Sequence, residues 1–124
     1  WQRCMNCNRR LETAKIELTQ IPPRCDCGGI YRPDCVFFGE MIPPQYLYRS
    51  KKVSSECDIM LVIGTSALIQ PAAFMPTIAK RAGAKIIEIN TERTPLTQKT
   101  SDYILMGKAG EIMKRLIFEI DLLL

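Results

Sequence analysis

The pattern of apolar and polar positions divides the chain near Tyr31–Asp34. Residues 1–32 offer few positions that could fill a core, and Pro22-Pro23, Gly28-Gly29 and four cysteines interrupt them. Such a segment buries too little surface to fold unaided and needs a metal or a neighbouring body. From Cys35 onward, short apolar runs alternate with helical stretches. Residues 35–38 read as a short strand ended by Gly39, and 44–55 as a helix with Pro44 at its start. Residues 58–63 form a continuous apolar strand ended by Gly64, of the kind a parallel sheet covers on both faces. A helix is predicted over 71–82, with Gly83 as its stop and Pro76 allowing a later start. Residues 85–90 and 103–106 read as further strands joined by a loop. Over 109–123, Ile112, Met113, Leu116, Ile117 and Ile120 share one helical face. Strand, helix, strand, loop, strand, helix predicts an α/β unit with a parallel sheet.

Composition places this pattern in a globular chain: 47% of residues are apolar and 24% charged. No apolar run reaches the roughly 20 residues of a membrane span. The first residues, WQRCMNCNRR, lack the apolar stretch of a secretory signal. The expectation is an intracellular protein, cytoplasmic first and nuclear if eukaryotic, with no membrane contact. In that reducing setting six cysteines favour metal over disulfides. The net charge is +4, and four zinc-bound thiolates with one Zn2+ would bring it to about +2. That excess gives no reason to expect direct nucleic-acid binding. The chain has no histidine, so no imidazole base or ligand is available within it.

Cys4-x2-Cys7 and Cys25-x-Cys27 are two close pairs separated by 17 residues. Four thiolates fill a tetrahedral zinc shell and leave no open position, which makes the predicted Zn2+ site structural. Only Asp26 lies within the second pair, and Gly28 and Gly29 offer the backbone freedom that this shorter knuckle requires. The competing reading is a set of buried or redox-active thiols. Cys35 and Cys57 each begin an apolar strand and are expected to fill core.

Ligands of a parallel α/β sheet bind beyond the carboxyl ends of its strands. Gly64-Thr65-Ser66 follows one predicted strand, Asn90 and Glu92 follow the next, and Gly107-Lys108-Ala109-Gly110 the last. Each alone is compatible with an ordinary turn. In order at one sheet edge, they favour a nucleotide site.

The same residues, with the blocks RPDCVFFGEMIP, CDIMLVIGTSALIQPA, IIEIN and GKAGEIM, resemble the C-terminal half of a sirtuin, an NAD-dependent protein deacylase. The resemblance implies a zinc-binding module, a small Cys4 zinc ribbon, at residues 1–32. It implies that 33–124 are the C-terminal part of a Rossmann-like NAD-binding domain. NAD contacts are implied for Gly64, Thr65, Ser66, Asn90, Thr91, Glu92, Lys108 and Ala109. An acylated-lysine peptide is implied to lie as a strand between Phe38-Gly39-Glu40-Met41 and Ile69-Gln70. Glu40 itself reads as a loop-organising acceptor rather than a catalytic carboxylate.

In sirtuins the acyl-lysine oxygen attacks the nicotinamide ribose, and a histidine then acts as general base. That histidine, the Gly-Ala-Gly cofactor loop and a Gln-Asn-x-Asp segment all precede the first zinc cysteine in the family. No catalytic residue is therefore assigned here, and the chain alone is expected to show little or no deacylase activity. The start at Trp1 and the missing sheet half point to a piece of a longer protein. A partner chain supplying that N-terminal half and self-association of the chain are the other expectations. The alternatives are a non-catalytic zinc-stabilised peptide- or nucleotide-binding module, and a Rossmann-like domain of another enzyme class.

Overall fold

A computed structural model describes residues 1–16 and 19–123. They form two compact units, Trp1–Ile42 and Pro43–Leu124.

The first unit is built on three short antiparallel strands in the order β2-β1-β3: β1 (Gln2–Cys4), β2 (Arg10–Leu11) and β3 (Tyr31–Pro33). Cys4 lies opposite Tyr31 in that ladder, and Arg24 bridges Ile30. Buried Cys4, Cys25 and Tyr31 cluster here, with Leu11 and Ile16 packed against them. So small a core agrees with the burial-poor pattern of this stretch. The unit continues past residue 32 because its charges reach forward. Asp34 accepts from Arg3 Nε at 2.7 Å and Arg10 Nε at 2.5 Å, and Glu40 pairs with Arg32.

Residues 35–38 are not a strand. Their neighbours 31–33 take the place in the ladder, and Phe37–Glu40 closes a turn in which Gly39 has φ +86°. Cys35 is exposed, against the expectation that it fills core. A run of apolar letters looked like a strand, but its backbone is committed to a turn.

The second unit carries α1 (Pro44–Glu56), β4 (Ile59–Ile63), α2 (Met75–Arg81), β5 (Lys85–Asn90), α3 (Pro95–Lys99), β6 (Tyr103–Met106) and α4 (Ala109–Asp121). The strands are parallel in the order β4-β5-β6, with Ile63 beside Ile89 and Ile89 beside Leu105. A single 3-10 turn, Ala72–Phe74, precedes α2, so the helix starts beside Pro76 as its ring requires. Val62, Ala79, Ala84, Ile86 and Leu96 form the core, with Cys57, Met60 and Ala67 against it. Gly83, at φ +104°, ends α2 and turns the chain into β5.

Two expectations change in this unit. The run 58–63 was expected to be covered on both faces, yet among the described residues β4 is the outer strand of its sheet, with Ile59 59% and Leu61 42% exposed. Continuous apolarity marks what a strand is able to bury, and its neighbours decide what is buried. The stretch between β5 and β6 is not plain loop, since it holds α3. Thr94 caps it by accepting the Leu96 amide, while Thr97 Oγ accepts the Thr94 amide, a reciprocal capping box. Among the described residues no helix is long and apolar enough to cross a membrane.

Candidate metal centre and strand-end site

The antiparallel ladder and one tight turn bring the two cysteine pairs together. Cys4 ends β1, and its carbonyl accepts the Asn8 amide at 3.1 Å, with Asn8 in a left-handed conformation at φ +60°. That turn swings Cys7 back toward Cys4. On the other side the Cys25 carbonyl accepts the Gly28 amide at 2.8 Å, and the Cys25 amide donates to the Gly29 carbonyl at 2.8 Å. The four sulfurs lie within 4.8 Å of one another. Cys4 and Cys27 stand 3.5 Å apart, and Cys7 and Cys25 3.8 Å. A tetrahedral zinc with Zn–S bonds of about 2.3 Å would space its sulfurs by about 3.8 Å, so the cage fits that ion.

The backbone donors around the sulfurs fit it as well. The amides of Asn6 and Cys7 point at Cys4 Sγ at 3.4 and 3.5 Å, stabilising thiolate charge at the most buried ligand. The thiols polarise one another unequally. The Gly29 amide, helped by the Cys4 and Cys7 side chains, pulls Cys27 down to about 6. Cys7 has the Arg9 amide working to lower its pKa, yet its bonds to Cys27 and Cys4 push it up to about 11. A divalent cation at the centre removes that conflict by holding all four as thiolates.

The two glycines after Cys27 do different jobs. Gly28 adopts φ +83°, the left-handed region the short knuckle needs. Gly29 gives room: a Cβ there would sit 2.7 Å from Cys4 Sγ and 2.6 Å from Asn6 Cβ. The expectation of backbone freedom thus holds for Gly28 and becomes a steric demand at Gly29.

In the second unit the ends of β4 and β5 are joined. Gly64, at φ +60°, donates its amide to the Ile89 carbonyl at 2.9 Å. The Asn90 side-chain amide donates to the Thr65 carbonyl at 3.0 Å, and Asn90 Oδ1 accepts the Thr91 amide at 2.8 Å. The end of β6 is tied on by the Gly107 amide, which donates to the Asn90 carbonyl at 2.9 Å. Gly64, Thr65, Ser66, Asn90, Thr91 and Glu92 therefore line one open hollow, six of the eight residues expected at a nucleotide. Lys108 and Ala109 stand apart from that lining, at the N-cap and first residue of α4.

The sequence reading missed what supports this hollow. Glu88, on β5, is 1% exposed and accepts the hydroxyls of Thr94 at 2.5 Å and of Thr97 and Ser101 at 2.8 Å. Burial works to raise its pKa, but those three donors hold it below the usual carboxylate range. Four hydroxyl residues within eight positions (Thr94, Thr97, Thr100 and Ser101), following an acidic residue in an apolar strand, were the available signal. Asp102 is a second such anchor: it accepts the Ile86 amide at 2.8 Å and pairs with Lys80.

The residues expected at a peptide fall in two places, one in each unit. Phe38 and Met41 are 91% and 87% exposed, on the turn around Gly39. Glu40 is the loop organiser expected of it. It accepts Arg32 Nη1 at 2.6 Å, Arg32 Nη2 at 2.9 Å and the Phe37 amide at 3.0 Å, and Arg32 lies over the Phe37 ring. In the second unit Ile69 lines an apolar hollow with Met60, Val62, Ala73 and Pro76, and its carbonyl accepts the Ala73 amide. Gln70 follows it and leads into the Ala72–Phe74 turn.

Similarity to known proteins extends over nearly the whole chain. The model of the Sir2 family matches residues 1–71. The NAD-dependent protein deacylase 1 of Archaeoglobus fulgidus is 47% identical over 116 residues, covering 93% of this chain and 47% of its own length. The NAD-dependent protein deacylase 2 of Pyrobaculum aerophilum is 40% identical over 119 residues, covering 95% and 47%. A solved Sir2 homologue–NAD complex superposes with a TM-score of 0.87 at 45% identity, over 97% of this chain and 47% of that one. A Sir2 protein bound to acetylated peptide gives 0.85 at 30% identity, over 95% and 51%. The chain spans about half the length of the curated relatives it matches.

Proposed function

This chain belongs to the Sir2 family, and from that premise we propose that it is the C-terminal portion of an NAD-dependent protein lysine deacylase. On this reading residues 1–32 are the zinc-binding module and 33–124 the C-terminal part of the Rossmann-like domain. Zn2+ held by Cys4, Cys7, Cys25 and Cys27 is structural, because four thiolates leave it no open position for substrate. The chain contributes part of an NAD site through Gly64, Thr65, Ser66, Asn90, Thr91 and Glu92, with Lys108 and Ala109 contributing from the start of α4. It contributes part of an acyl-peptide site through Phe38, Gly39, Glu40, Met41, Ile69 and Gln70.

The observation that carries this reading is the junction of strand ends: Gly64–Ser66 and Asn90–Glu92 share one hollow at the carboxyl edge of a parallel sheet. The peptide side has a physical rationale in exposed Phe38 and Met41 beside a turn braced by Arg32, a surface suited to an extended chain. NAD, when bound, supplies the electrophilic ribose carbon and the departing nicotinamide. This chain's residues bind and orient. With no histidine present, none of them is assigned as the general base.

The test uses the zinc-loaded chain with an acetyl-lysine peptide and NAD, alone and mixed with the N-terminal half of a relative such as the Archaeoglobus deacylase. Little or no nicotinamide should be released alone, and release should appear with the mixture. Robust release by the chain alone overturns the expectation of inactivity. Failure of the mixture, with ADP-ribose and peptide still bound, favours the second reading, a non-catalytic binding module.

A further inference from the structure

Glu88 occupies a position where its strand neighbours Ile86 and Ile89 are fully buried aliphatic residues. An aliphatic side chain there would pack without the cost of dehydrating a carboxylate. No ion pair to Glu88 occurs among the described residues; both carboxylate oxygens are taken by hydroxyls. All three hydroxyls come from one stretch, Thr94 to Ser101.

The bonds run in one direction. Thr94 Oγ1 gives its proton to Glu88 and accepts the Leu96 amide; Thr97 Oγ1 gives its proton to Glu88 and accepts the Thr94 amide. The start of α3 is thereby fixed to the centre of the sheet. At the other end of the short connection, Asn90 is fixed to Thr65. Thr91 and Glu92, which face the hollow, hang between these two anchors.

We infer that Glu88 is a positioning residue for the nucleotide site: it holds the connection from Thr91 to Ser101 in the shape that presents Thr91 and Glu92 to the ligand. The inference rests on the nucleotide reading of that hollow. It assigns Glu88 no contact with the ligand, only control of the segment that makes the contact.

The experiment follows ADP-ribose binding to the zinc-loaded, 15N-labelled chain through the amides of Thr65, Asn90 and Thr91. Amide exchange over residues 91–101 and zinc per chain are measured in parallel. Glu88→Gln and Thr97→Val should each weaken ADP-ribose binding about tenfold, the loss of about one charge-assisted hydrogen bond. Exchange over 91–101 should quicken in both while zinc stays at one per chain. Thr97→Ser, which keeps the donor, should restore affinity. If Glu88→Gln fails to fold, the Thr97→Val and Thr97→Ser pair decides. Unchanged affinity in Thr97→Val overturns the positioning role alone. No ADP-ribose response from the parent chain at millimolar ligand overturns the nucleotide reading, and this inference with it.

Discussion

The Asn90 side-chain amide donates to the Thr65 carbonyl at 3.0 Å, joining the end of the central strand to the end of its edge neighbour. This bond ties together the two strand ends that line the hollow, Gly64–Ser66 and Asn90–Glu92. Asn90→Ala should loosen the β4 end and weaken ADP-ribose binding five- to tenfold, about 1 kcal/mol. Titration calorimetry checks it, and affinity equal to the parent's would detach Asn90 from the site.

The zinc cage makes a separate demand. Cys25→Ser leaves three thiolates and a weak oxygen ligand beside a core that consists of little more than Cys4, Cys25 and Tyr31. The variant should lose most of its zinc, and the amide spectrum of Trp1–Ile42 should collapse toward that of an unfolded chain. Chelation of the parent should do the same, since structural zinc contributes on the order of 10 kcal/mol to folding in small zinc domains. A full zinc complement in Cys25→Ser would count against the four-sulfur site.

The two adjacent glycines should respond differently to alanine. Gly28→Ala forces a side chain into φ +83° with open space around it, a cost of about 1–2 kcal/mol. Gly29→Ala drives a methyl group to within 2.7 Å of Cys4 Sγ and must displace a ligand. Competition with a zinc-binding dye should show a much larger loss of metal affinity in Gly29→Ala. Equal losses would remove the steric argument.

Glu40 offers a test in pH. The Arg32 guanidinium and then the Phe37 amide bring its pKa down from an ordinary 4.5 to about 2. A depressed folded-state pKa means the contribution is complete above 4.5 and fades as pH falls from there through about 2. Arg32→Gln removes the larger cause, so Glu40 should titrate nearer the ordinary value and its turn should loosen at higher pH. Carboxyl 13C shifts against pH report this directly; an unmoved Glu40 would mean Arg32 does not set it.

Much of this was legible in the residues because it depends on local order. The spacing of Cys4, Cys7, Cys25 and Cys27 was enough to name a four-thiolate cage, since each pair is held by its own tight turn. Strands β5 and β6 agree with the apolar runs to the residue, and α1 agrees with the helix that Pro44 begins almost to the residue. The segment 35–38 misled because Val36, Phe37 and Phe38 have strand composition, while Arg32 and Glu40 bend the backbone that carries them. α3 escaped notice because five residues are too short for a periodic signal, leaving only the Thr94–Pro95 cap to mark it.

By itself, then, the sequence determined the ligand set for the metal, the α/β alternation and the small polar residues at strand ends, all of which are encoded in residue type and near spacing. Tertiary structure alone decided the strand order β4-β5-β6, which glycine guards the Cys4 sulfur, and that Glu88 gathers Thr94, Thr97 and Ser101. Those outcomes depend on what packs against a residue from elsewhere in the chain. The hydroxyl residues at 94–101 are a local hint, but only packing decides that three of them surround this carboxylate.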